Sequence, residues 1–181
     1  MKTFNIGEKQ YDIKTDLDEI ALGEFAQITE ILLKDYELYI DKYVDIVSVL
    51  SKIDRELIEE MNLDDFHEIV SKVQKVNLEQ NLIVKEFDDS ITINDIEYKA
   101  KLKADGTFSP TVKEVFLIED AIKKHKINYF IYFAAIIFLE DGGKLDIESI
   151  KDRAQIFKEN MTVSFIMPYI TIFSEYVRSR K

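Results

Sequence analysis

The 181-residue chain reads as an α+β protein, mainly α, made of two pseudo-repeats, each a short β-hairpin followed by three or four helices. Three observations predict this. Apolar and polar residues alternate near residues 4–13 and again near 91–103, whereas most other stretches repeat their apolar residues every three or four positions. Pro and Gly are scarce, at 2 and 5, which disfavours long linkers and turn-rich β networks. A shift of 87 residues lays the apolar positions of the first half on those of the second.

In the first half, Phe4-Asn5-Ile6 and Tyr11-Asp12-Ile13 flank Gly7-Glu8-Lys9, the pattern of a tight hairpin. From Ala21, the residues Leu22, Phe25, Ile28, Ile31 and Leu32 share one helical face. A second helix is expected over 36–52, carrying Ile40, Tyr43, Val44, Val47 and Leu50. Asp54 is placed to cap a short helix through Glu60, and Asn62 to start another that runs to about Val76.

The second half repeats the order. Strands are expected at 82–84, 91–93 and 96–98, with turns at Asp88-Asp89 and Asn94-Asp95, and alternation continues over 99–103 until Asp105-Gly106. Ser109-Pro110 suits a helix start, since Pro in the first turn gives up an N–H that has no partner there. That helix carries Val112, Val115, Phe116, Ile118 and Ile122. Residues 127–139 read as one nearly all-apolar helix stopped by Gly142-Gly143, followed by helices over 146–158 and 161–177. At the constant offset Phe4 falls on Ile91, Tyr11 on Tyr98, Ile31 on Ile118, Tyr43 on Phe130 and Leu50 on Ile137. The units are 1–88, acidic, and 89–181, ending in an apolar helix.

Composition narrows the chemistry. With no Cys, there are no disulfides, thiolate metal sites or Cys nucleophiles. The two histidines do not form a His-x-x-x-His pair: His67 suits an exposed helix face, and His125, after two lysines, suits a helix C-terminus that favours cations. The five glycines match no phosphate-binding fingerprint, and the acidic pairs Asp16/Asp18, Asp64/Asp65 and Asp88/Asp89 lack the spacing of a calcium loop. The expectation is a protein that is not an enzyme and uses no cofactor or metal. Residues 1–90 hold 10 Lys/Arg against 22 Asp/Glu, a balance of −12, and residues 91–181 hold 14 against 13. The acidic half repels phosphates, so direct nucleic-acid binding is not expected. The N-terminus carries Glu8 where a signal peptide would be apolar, and the apolar run at 127–139 is shorter than the ~20 residues that span a bilayer, so a cytoplasmic protein without membrane contact is expected.

Two surfaces are candidates for binding other proteins. The last helix is apolar nearly all round, which fits either a central core helix or one face held for a partner; its candidate residues are Phe165, Ile166, Tyr169, Ile170, Phe173 and Tyr176. Pro168 should kink or break it, and the basic end Arg178-Ser179-Arg180-Lys181 could meet an acidic surface of a second copy, giving a homo-oligomer. Tyr39 and Tyr43, four residues apart beyond Tyr36, fit an interface or a core edge equally well.

The stretch Ile20-Ala21-Leu22-Gly23-Glu24-Phe25-Ala26-Gln27-Ile28, then Ile46-Val47-Ser48-Val49-Leu50 and Leu63-Asp64-Asp65-Phe66, precedes the second hairpin at residues 91–98. This arrangement resembles small proteins of tailed bacteriophages described as tail assembly chaperones or virion accessory proteins. The Ile- and Lys-rich composition is similar to that of proteins from AT-rich phage or bacterial genomes. The resemblance implies a factor that binds phage structural components of the tail or neck, in the host cytoplasm or in the virion. The second half departs from the pattern, with Ser109-Pro110 where the first has Leu22-Gly23, and no functional residue is carried over. Two further readings are an acidic, nucleic-acid-mimicking inhibitor of a host defence or DNA-binding protein, and a hydrolase whose carboxylates converge only in space.

Overall fold

A computed structural model describes residues 1–74, 88–100 and 110–178. The order is β1 Lys2–Ile6, β2 Lys9–Ile13, α1 Leu22–Leu33, α2 Tyr39–Ser51, α3 Arg55–Glu59, α4 Leu63–Gln74, β3 Ser90–Ile93, β4 Ile96–Ala100, α5 Val112–His125, α6 Tyr129–Ile137, β5 Phe138–Leu139, α7 Ile147–Asn160 and α8 Val163–Arg178. The fold is α+β, mainly α, with a hairpin and helices followed by a second hairpin and helices.

Both hairpins close over two residues, with Ile6 opposite Lys9 and Ile93 opposite Ile96. Their turns use different chemistry. Gly7 supplies one positive φ of 60°, whereas Asn94 and Asp95 supply two, of 52° and 63°, as a type I′ turn demands. In each hairpin one face turns to the core: Phe4 and Ile13 in the first, Ile93 and Tyr98 in the second. Each then docks on the end of the helix that fills the same place in its half. Lys14 N–H donates to the Leu50 carbonyl at 3.2 Å beside β2. In the second half α6 unwinds at its end into β5, which pairs with β4 through Lys99 opposite Leu139 and Ala100 opposite Phe138. Subtracting 87 from those four positions gives 12, 52, 13 and 51, so the same ends meet in both halves.

Several helix limits differ from expectation. Residues 36–38 lie outside α2, because Tyr36 turns away to give its hydroxyl to Asp45 Oδ2 at 2.6 Å. Thr111 is the N-cap of α5; its Oγ1 accepts from Glu114 N at 3.2 Å while Glu114 Oε2 accepts from Thr111 N at 2.6 Å, a reciprocal box. Pro110 therefore precedes the helix, and Ser109 lies outside the described residues. The single helix expected over 127–139 is a 3-10 turn at Lys126–Asn128, α6, and then β5; Lys126, at φ +48°, separates α5 from α6. α8 continues through Pro168 without a break. The strand expected at 82–84, the alternation over 101–103, the turn at 105–106 and the basic residues 179–181 fall outside the described residues.

The halves share one interior. Ala21 forms a β-bridge with Thr162, Leu22 N–H donates to the Met161 carbonyl at 2.9 Å, and Val163 N–H donates to the Ile20 carbonyl at 3.0 Å. The Phe25 ring meets the Phe130 ring edge-on at 5.3 Å. α1 also runs close against α7: a Cβ at Gly23 would lie 2.9 Å from the Lys158 carbonyl oxygen, so glycine is what lets these helices approach. α6 is the centre of the second half, with Phe130, Ile131 and Phe133–Ile137 all buried. Arg153 on α7 is buried at 3% exposure and ties the segment after α6 together, donating to the Ala135 carbonyl at 2.9 Å and the Lys144 carbonyl at 2.7 Å, with Glu140 Oε1 at 3.3 Å.

Candidate protein-interaction surface

α8 settles its own location by packing. Ile166, Tyr169 and Phe173 are at 0%, 2% and 5% exposure, so the apolar stripe of this helix faces the core. Phe173 lies 5.3 Å from Phe133, and Phe138 is flanked by Phe165 at 5.3 Å and Tyr169 at 4.9 Å. Tyr169 also donates its hydroxyl to the Asp88 carbonyl at 2.7 Å, and burial, with Asp89 and Asp88 nearby, pushes its pKa up to about 12. These three are interior residues, which is the core-helix alternative raised by the apolar pattern. Phe165, Ile170 and Tyr176 are half-buried at its edges, where a partner can reach them in part.

Tyr39 and Tyr43 lie at the mouth of a different feature. α1, α2 and α4 enclose an apolar cleft of about 200 Å3, floored by Ile28, Ile46 and Leu50 and walled by Phe25, Leu32 and Tyr43. The first turn of α2 brings Tyr39 against Tyr43, with rings edge-on at 4.8 Å and hydroxyls 2.6 Å apart, and Gln74 Nε2 of α4 donates to the Tyr43 hydroxyl at 3.0 Å. This chain of polar tips fixes the mouth of the cleft. The hydrogen bond to Tyr43 raises the pKa of Tyr39, so the phenol stays protonated across the neutral range.

Beyond the mouth, the end of α1, the link after it and the start of α2 expose an apolar ridge. Leu33, Leu38 and Tyr39 are 67%, 61% and 68% exposed, and Leu32 and Ile40 are also exposed. Contiguous exposed apolar surface of this kind marks contact sites on soluble proteins. Helical spacing assigns Leu32 and Ile40 to the apolar stripes of α1 and α2, yet they are 41% and 42% exposed, so the sequence pattern does not mark the ridge as surface. Behind the ridge, Arg55 of α3 donates to Asp41 at 2.6 Å, Asp45 at 2.8 Å and Glu59 at 2.6 Å, bracing the acidic side of α2. The Tyr36 hydroxyl is committed to Asp45, and that bond, followed by burial, pushes its pKa up to about 12.

The histidines lie apart. His67 is exposed on α4 as expected. His125 stacks on Tyr132 at 3.6 Å, and burial, with Lys124 beside it, pushes its pKa down. The expected cationic role at the end of α5 therefore gives way to a neutral ring held on an aromatic face. It lines a polar groove of about 300 Å3 between α1 and α7, with Glu30, Asn128, Lys151 and Lys158. Asn128 Nδ2 donates to Glu30 Oε1 at 2.7 Å across the two halves.

Among the described residues, no group of three or more His, Asp and Glu side chains could hold a metal ion, and no helix is long and apolar enough to cross a membrane. Compared with protein-family models, curated proteins and solved structures, the chain matches none.

Proposed function

We propose that the protein is a non-enzymatic protein-binding factor of the host cytoplasm, a bacteriophage tail or virion assembly chaperone or accessory protein. One observation carries the binding role: an apolar cleft opens onto an exposed apolar ridge at Leu32, Leu33, Leu38, Tyr39 and Ile40. A chaperone of assembly has to shield apolar surface on a partner until it is built in, and an open apolar site on a rigid helical frame suits that task. The tail-assembly reading rests on the resemblance in the order of hairpins and helices and on the acidic first half. The test is co-expression of the tagged full chain with each neighbouring gene product, followed by size-exclusion chromatography. A stoichiometric complex with a tail or neck component is expected; a strictly monomeric chain that captures none of them refutes the proposal.

A second reading, an acidic inhibitor of a DNA-binding protein, is favoured by the −12 balance of residues 1–90. It requires salt-sensitive competition with DNA for a basic host protein, and equal binding at low and high salt removes it.

A further inference from the structure

The two halves turn the same corner in different ways. From α1 to α2 the chain takes five residues, 34–38, and its backbone is extended at both ends, with φ of −75° at Lys34 and −115° at Leu38. From α5 to α6 it takes three, Lys126–Asn128, wound as a 3-10 turn. In this shorter link Lys126 adopts φ +48° and ψ −112°. The positive φ at Lys52, by contrast, comes with ψ +28°, inside the left-handed basin that side chains can visit. Lys126 lies outside that basin, where only glycine enters without strain.

The local sequence does not compel this turn. Residues 111–141 contain no Gly and no Pro, so the link between α5 and α6 is compatible with helix. The corner carries a second cost. Among the described residues, Asn128 Oδ1 is buried with no hydrogen-bond partner, while Nδ2 of the same side chain is given to Glu30. Packing holds the turn shut: His125 stacks on Tyr132 at 3.6 Å, and Ile118 and Ala121 of α5 are buried.

We infer that the α5–α6 turn is a strained hinge through which two copies of this chain exchange parts. With Lys126 returned to helical angles, α5 and α6 join into one helix, and the chain before the hinge packs on the chain after it from the second copy. Strain in a short link between packed elements favours such exchange. The partner is a second copy because every contact required already exists within one chain. The packing of α5 on α6, the pairing of β4 with β5, the bridge from Ala21 to Thr162 and the meeting of Phe25 with Phe130 each join residues on opposite sides of the hinge. Remade between copies, they need no new complementary surface, and the backbone of Lys126 is released. On one straight helix His125 and Tyr132 stand about two turns apart, so their stack is what the exchange gives up.

The chain has no Cys, so a pair can be introduced as a reporter. Ala21→Cys with Thr162→Cys places thiols on bridged neighbours, within disulfide reach. This full-length variant is unfolded in guanidinium, refolded at low and at high protein concentration, separated by size-exclusion chromatography, oxidised and run on a non-reducing gel. The expected result is a dimer peak that grows with refolding concentration and runs as two covalently joined chains, beside a monomer peak that runs as single chains. Lys126→Gly in this background removes the strain from the closed form. It should cut the dimer fraction about tenfold and raise the thermal midpoint of the monomer. Lys126→Ala keeps the strain and should exchange at least as much as its parent. Monomer at every concentration, or a dimer that separates into single chains on the gel, overturns the inference. So does a Lys126→Gly variant whose dimer fraction is unchanged or whose midpoint falls.

Discussion

The first and second halves use the same scaffold to opposite ends. In the second half α6 is apolar on every side, and α8 closes over it, so Phe133, Phe138 and Phe173 form one aromatic interior. In the first half α2 is apolar on one side only, with Asp41 and Asp45 held outward by Arg55, and its inner face looks into a cleft. The hairpin and its two-residue turn recur in both, and each hairpin meets the end of the corresponding helix, by one hydrogen bond in the first half and by pairing with β5 in the second. Among the described residues the difference lies in what packs on the helix: α8 lies on α6, whereas α2 borders the cleft between α1 and α4. In the function proposed above, that cleft is where a partner binds. Joined through α1 and α7, the covered half can hold the open half rigid.

The largest effect expected from this contrast is at Phe133. Phe133→Ala removes a ring at 1% exposure from beneath α8 and should cost about 3–5 kcal/mol in denaturant unfolding. Leu32→Ala, at the rim of the open cleft, should stay within about 0.5 kcal/mol. Equal losses at the two positions would erase the distinction between a covered and an open place.

Gly23→Ala tests the joint between the halves. Its new methyl would meet the Lys158 backbone, and a loss of about 1–3 kcal/mol is expected from the strain. An unchanged midpoint would mean that α1 does not press on α7. Tyr169→Phe removes the hydroxyl that ties α8 to Asp88 and should cost about 1 kcal/mol, with the fold retained.

The smallest expected effect is a pH dependence at the same joint. Burial holds His125 neutral below its ordinary pKa of 6.5, with Lys124 and Lys151 acting in the same direction and Asp120 opposing them. Between the unfolded and folded pKa values the unfolded chain binds the extra proton, so stability is full above 6.5 and falls as pH drops below it. His125→Gln should flatten that fall; an unaltered slope would place the acid sensitivity elsewhere.

The hairpins were legible because alternation and turn residues act locally: Asn94-Asp95 can hold two positive φ angles wherever they sit. Most helices were legible from the stripe that each buries. The end of α6 was not, because Phe138 and Leu139 look helical by composition and become a strand only when the β4 edge is beside them. The cap of α5 moved to Thr111 because a reciprocal box with Glu114 satisfies more of its first-turn groups than Ser109 with Pro110. Nothing in the residue pattern marks Arg153 as interior, since its partners are backbone carbonyls, of Ala135 on α6 and of Lys144 in the loop after it. Of the candidate contact residues, Tyr39 and Tyr43 sit at the cleft mouth, whereas Ile166, Tyr169 and Phe173 are in the core. An all-apolar helix fits either fate, and only packing decides. Leu32 and Ile40 belong by spacing to the stripes of α1 and α2, and only packing shows that they are exposed.

The most direct test is hydrogen–deuterium exchange of the full chain, alone and in complex with the neighbouring gene product it captures. Added protection is expected in α2, α4 and the ridge at Leu33 and Leu38, with α6 and α8 slow to exchange in both states. Protection that appears on α8 while the ridge exchanges as before would contradict the division of the molecule into a closed half and an open one.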